Sequence, residues 1–293
     1  MPSIYKTFIF FLILMSTDVL AGNSIALIGD NYREQVFKEV LNEFNIKEKL
    51  IGNKKKAQIS KTGDVITTIL PGASNIQIAN QLRKSTIAVV VVDSTMGPLP
   101  IDREHIIIAR QARVPIIAVL LANLKTLHKV APKDAVELLE LEELEMRELL
   151  SNYEVGGDST LVFYDRKSAF SGSPLSGMGI KETFNVLSKI RTNRTRENTT
   201  RGIKEFHGSF YLLTQAEANN KGVFLSKGKA INIWSEGTDS TCTVLSEGSY
   251  KPGDVTEFTL KINGKLKGYE GSRIMLQNNG HLVGIGVIAK ILR

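Results

Sequence analysis

Residues Ile87–Leu121 read IAVVVVDSTMGPLPIDREHIIIARQARVPIIAVLL. Two unbroken aliphatic runs, Ile87–Val92 and Val114–Leu121, flank a segment, Arg103–Gln111, that reads as a helix. Strands without polar alternation are buried on both faces, and a helix between two of them implies parallel neighbours in a covered sheet. The same beat extends outward. Upstream, Ser24–Ile28 reads as a strand and Tyr32–Phe44 as a helix carrying Val36, Val40, Leu41 and Phe44; Val65–Leu70 and Asn75–Leu82 repeat the pair. Downstream, a long acidic helix over Asp134–Ser151 follows Pro132, with Leu138, Leu141, Met146 and Leu149 as its expected buried stripe. Leu161–Tyr164 and Lys181–Ile190 supply a last strand and helix.

At about residue 191 the composition changes. Arg191–Arg201 (RTNRTRENTTR) holds four Arg, four Thr and no apolar residue, and reads as a solvated linker. Beyond it the period is two, over Gly208–Leu213, Val223–Leu225, Ala230–Trp234, Cys242–Leu245, Phe258–Ile262, Arg273–Leu276 and Leu282–Ile291. Turns are expected at Asn263-Gly264 and Asn279-Gly280. Short alternating strands of this number close into an antiparallel barrel or sandwich, with Trp234, Phe210 and Phe258 as its large apolar fillers. The expected organisation is therefore an α/β domain over 22–190, a linker over 191–201 and a β-barrel domain over 202–293.

Residues 1–21 are set apart from both. One Lys precedes the apolar run Thr7–Met15 (TFIFFLILM), and Val19-Leu20-Ala21 follows, the order of a cleavable secretory leader. The run is shorter than the roughly 20 residues that span a bilayer, and no transmembrane span is expected elsewhere. Export to the periplasm or medium is the expectation; an uncleaved membrane anchor and a cytoplasmic protein with a misplaced start are the alternatives. With 37 Lys+Arg against 30 Asp+Glu, the net charge of +7 permits RNA or anionic lipid as a partner without requiring either. The basic stretch Lys189–Lys204 is equally suited to a tether. A single Cys242 excludes an internal disulfide, and four scattered histidines offer no paired ligands for zinc.

Gly97-Pro98-Leu99-Pro100-Ile101-Asp102-Arg103-Glu104-His105, the helix that follows, and Glu137–Asn152 resemble the GTPase domain of bacterial elongation factor Tu. Phe210–Thr214 and Leu282–Ile291 resemble the first and last strands of that factor's third domain. The resemblance implies a P-loop GTPase-like parallel sheet followed by a small antiparallel barrel, with the family's middle barrel missing. It also implies where GTP and Mg²⁺ would sit, and there the chain departs from the pattern. A phosphate-binding loop needs GxxxxGK[ST]. The equivalent Gly29-Asp30-Asn31-Tyr32-Arg33-Glu34-Gln35-Val36 keeps only Gly29, with Glu34, Gln35 and Val36 in place of the second glycine, the lysine and the metal-binding hydroxyl.

Ile69-Leu70-Pro71-Gly72-Ala73 stands for Asp-x-Pro-Gly-His, so Ile69 and Ala73 replace the metal-shell Asp and the His that positions water. Ala122-Asn123-Leu124-Lys125 stands for the guanine reader, with Lys125 replacing its carboxylate; Ser168-Ala169 partly keeps the fifth element. Lys54-Lys55-Lys56 occupies the shortened region of the first switch. These losses predict no catalytic residues, no metal and no cofactor; the alternative is a GTP- and Mg²⁺-binding translation factor acting on aminoacyl-tRNA. A decaying gene is a third possibility. The family uses the long acidic helix region for protein partners, which makes Glu137 to Ser151 the expected protein-binding surface.

Overall fold

The computed structural model describes residues 22–166, 179–191 and 198–293. Residues 1–21, expected to be a secretory leader, and the pair Ser168-Ala169 lie outside the described residues.

The first part is a seven-stranded sheet in the order β2-β3-β4-β1-β5-β6-β7. Its strands are β1 (Ser24–Gly29), β2 (Lys49–Ile51), β3 (Lys54–Gln58), β4 (Val65–Ile69), β5 (Ile87–Asp93), β6 (Ile116–Ala122) and β7 (Val162–Tyr164). β4, β1, β5, β6 and β7 are parallel, whereas β2 and β3 form an antiparallel hairpin at the edge. The lysine run thus builds β3, paired with β2 on one side and β4 on the other, and the edge strand is β2.

Consecutive residues of the central strands feed opposite faces. Ile25 and Leu27 join a core with Val36, Phe37 and Val40 of α1 (Arg33–Phe44) and Phe184 and Leu187 of α6 (Ile180–Lys189). Ala26 and Ile28 join the other core, with α2 (Asn75–Leu82), α3 (Pro100–Gln111), α4 (Leu124–Val130) and α5 (Ala135–Asn152). Helices over both faces make a doubly covered α/β layer, and β1 and β5 meet where the connections leave in opposite directions, the usual ligand crevice of such sheets.

α5 departs from the expected stripe. Its buried line is Ala135, Leu139, Glu142, Met146 and Leu150, while Leu138 (41%), Leu141 (52%) and Leu144 (63%) are exposed. Leucines occur around much of this helix, so two lines one residue apart satisfy helical spacing, and the packed one passes through a carboxylate.

The second part is a closed barrel, β10-β11-β13-β8-β15-β14. It comprises β8 (Arg201–Leu212), β10 (Ala230–Ser235), β11 (Thr238–Val244), β13 (Val255–Gly268), β14 (Arg273–Asn278) and β15 (His281–Ile291); β9 (Leu225–Ser226) and β12 (Ser249–Tyr250) pair separately. Phe210 and Phe258 stack at 4.1 Å in its interior, and Cys242 is fully buried beside them. Asn279 (φ 49°) and Gly280 (φ 81°) form the hairpin turn between β14 and β15 as expected. Asn263-Gly264 does not turn the chain; it lies in a register shift within β13. β8 begins at Arg201, inside the expected linker.

The barrel packs on the α/β part through α2 and α3. Trp234, counted among the barrel's fillers, instead joins the cluster containing Ala79, Leu82 and Ala112, together with Leu213, Met275 and Leu282. Its Nε1 donates to Asn80 Oδ1 at 2.9 Å, Gln111 Nε2 donates to Ile274 O at 2.8 Å, and Arg83 pairs with Glu236 at 3.3 Å.

Candidate functional site

The carboxyl ends of β1, β4 and β5 converge on the turn Asp30–Tyr32. Gly29 ends β1 at φ +93°, and a Cβ there would stand 2.5 Å from Val91 O and 2.9 Å from Asp102 Oδ1, so glycine is required whatever the loop binds. The loop is short and closed. Of the eight backbone amides from Gly29 to Val36, all but that of Asn31 are engaged within the fold. Gly29 N donates to His105 Nδ1 at 2.7 Å, Asp30 N to Val91 O, Tyr32 N to Asp30 Oδ1, and those of Arg33, Glu34, Gln35 and Val36 to carbonyls one turn back.

At its centre lies Arg33, 5% exposed. Nη1 donates to Gly29 O and Asp30 O, both at 2.9 Å, and to Asn31 Oδ1 at 3.0 Å; Nε reaches Ile69 O at the end of β4 at 3.2 Å. A phosphate cradle presents amides inward around an anion. This loop presents carbonyls inward around a cation supplied by its own helix. Burial pulls the guanidinium below its ordinary value, opposed by the charges of Glu34, Asp30 and Asp102.

Two further buried groups complete the cluster. Asp102 is fully buried; burial pushes its carboxyl up to about 7, against the Leu99 amide, which donates to Oδ2 at 2.8 Å. His105 is pushed down to about 3 by burial and by Arg33, so the imidazole is neutral and its Nδ1 accepts from Gly29.

The degenerate positions divide into two places. Gly29 and the Ile69 carbonyl belong to the Arg33 cluster; the side chains of Ile69 and Val36 are core, and Ala73 packs partly buried against it. Glu34 turns outward to Lys55 at 3.6 Å. Gln35, which donates to Glu39 at 3.0 Å, lines a cavity of about 760 Å³ with Asn123, Lys125, Tyr32 and Asp165. There Asn123, at φ +65°, gives its Nδ2 to Asp93 at 2.9 Å and its amide to Asp165 Oδ2 at 2.7 Å. Burial raises Asp165 to about 6, opposed by that amide.

On the alignment that the resemblance implies, this arrangement offers no matching ligands for GTP and Mg²⁺. Where the family would place the polyphosphate, Arg33 is bonded to carbonyls; no hydroxyl or carboxylate stands at Val36 or Ile69, and Asn123 is committed to Asp93. Arg33, Asp102 and His105 were not singled out as a group from sequence, although Asp102 and His105 lie in the Gly97–His105 block. Their residue types are ordinary for a helix, and the strand ends unite them only after folding. Among the described residues, no group of three or more His, Cys, Asp or Glu could hold a metal ion. No protein-family model matches the chain.

Proposed function

We propose that the protein is a non-catalytic pseudo-GTPase, similar in plan to elongation factor Tu, that binds another protein through α5. The carrying observation is the Arg33 cluster. A guanidinium held by three main-chain carbonyls and Asn31 satisfies the turn internally, and a polyphosphate would have to break those bonds and find one unengaged amide. The exposed leucines of α5 support the binding role, because an apolar row on an otherwise charged helix is a feature of interaction surfaces.

Calorimetric titration of the full chain with GTP and GDP, with and without Mg²⁺, is expected to show no heat of binding up to millimolar nucleotide. Micromolar, Mg²⁺-dependent binding of either nucleotide would favour the alternative of a GTP-dependent factor and sink this reading.

A further inference from the structure

Between β3 and α2 opens a pocket of about 200 Å³ that shares only Ile69 with the Arg33 cluster. Lys54 enters it from β3 and Lys84 from just past the end of α2, and none of the residues lining it is a carboxylate. The neighbouring Lys55 is matched by Glu34 at 3.6 Å and Glu48 at 3.9 Å. Lys54 Nζ instead donates to the neutral Gln81 Oε1 at 2.7 Å. Burial, and then the charges of Lys84 and Lys56, hold the Lys54 ammonium below its ordinary value. Cations therefore crowd here without a counter-charge.

Three side-chain amides complete the wall. Asn80 Oδ1 accepts from Trp234 Nε1 at 2.9 Å, and Gln77 Oε1 accepts from the Ser74 amide at 3.0 Å, so each spends its carbonyl and keeps its NH₂ group to donate. Asn53 Nδ2 is buried and has no acceptor. A buried donor left without a partner is costly, and an acceptor in the pocket would offset that cost. Two ammoniums and three amide donors surround a space below the roughly 300–1,000 Å³ of small-molecule pockets, which suits one compact anion rich in oxygen.

We propose that this pocket binds a single phosphate group, either free inorganic phosphate or the phosphate of a small monoester. Its negative charge is shared by Lys54 and Lys84, and its oxygens accept from Asn53, Gln77 and Asn80. A carboxylate brings one charge and two oxygens, and leaves part of this donor set unused. The site is distinct from the Arg33 loop, so it stands whether or not a nucleotide binds elsewhere.

The test titrates the isotope-labelled full chain, at fixed ionic strength, with inorganic phosphate, glycerol phosphate and acetate. One of the two phosphates or both should saturably shift the amides of residues 53–54 and 77–84, with acetate at least ~10-fold weaker. Lys84→Gln should weaken phosphate binding about 10-fold and Asn53→Ala about 5-fold, in line with the loss of a charged and of a neutral donor to an anion. Lys129→Gln, which removes the same charge on α4 outside the pocket, should leave binding unchanged. Without phosphate both pocket variants should melt as the parent does, because Lys84 is exposed and the Asn53 amide has no partner to lose. Tighter binding of inorganic phosphate assigns the free ion, and tighter binding of glycerol phosphate assigns the ester. The proposal is overturned if neither phosphate gives a saturable shift up to about 10 mM, a limit near 3 kcal/mol of binding free energy. It is equally overturned if acetate binds as tightly, if the shifts fall on other surfaces, or if Lys84→Gln and Asn53→Ala bind phosphate like the parent.

Discussion

Arg33 shows how one side chain reassigns a loop. Its helix position leaves its charge available, and three carbonyls with Asn31 consume that charge where an anion would need it. Replacing it by alanine removes the side-chain donors from the carbonyls of Gly29 and Ile69, and from that of Asp30, which keeps only the residue-33 amide, in a site nearly closed to water. Each buried acceptor without a partner costs about 1–3 kcal/mol, partly recovered by entering water. Arg33→Ala is therefore expected to lower stability by about 3 kcal/mol in a denaturant titration, with no gain of GTP affinity. A change below about 0.5 kcal/mol would show that the cluster is not structural. No sequence signal exposes this role, since an Arg one residue into a helix normally reads as solvated.

At the level of elements, the legible part of the chain was the part with one dominant period. The aliphatic runs of β1, β5 and β6 and the alternating barrel strands were readable because each has one packing solution. β2 and β3 were not, because lysines at Lys54–Lys56 carry no apolar alternation, and the hairpin forms by pairing with β4. α5 failed for the opposite reason, an excess of leucine that left its rotation open, and the buried Glu142 could not be anticipated.

That misplaced acid gives a further expectation. Burial raises Glu142 to about 8, opposed by Ser94 and reinforced by Asp93, Asp102 and Glu145. The unfolded chain releases this proton near its ordinary value of about 4.3. Between those values the folded state binds more protons, so this group's contribution to stability falls as pH rises from about 4 to about 8. Glu142→Leu should remove that decline and raise stability near pH 8 by about 1–2 kcal/mol, as when well-packed apolar residues replace buried charge. Parallel thermal melts of the two proteins at pH 5 and pH 8 check this; equal pH dependence in both contradicts it.

At the scale of the whole molecule, the α/β part and the barrel share one apolar cluster and several hydrogen bonds across the seam, including Tyr153 OH donating to Glu217 at 2.8 Å and Gln111 to Ile274. Separation would expose Trp234, Met275 and Leu282 together, so docking and folding should be coupled. The chain has a single tryptophan, and it sits at this seam with its indole nitrogen on Asn80. In urea its emission should therefore shift to the red over the same transition in which far-ultraviolet circular dichroism is lost. A red shift that comes first, with the dichroism intact, would reveal two bodies that part before they melt. The chain thus carries its one tryptophan at the joint, and excitation selective for it reads the packing there without a label in any solution where a partner or a substitution is tested.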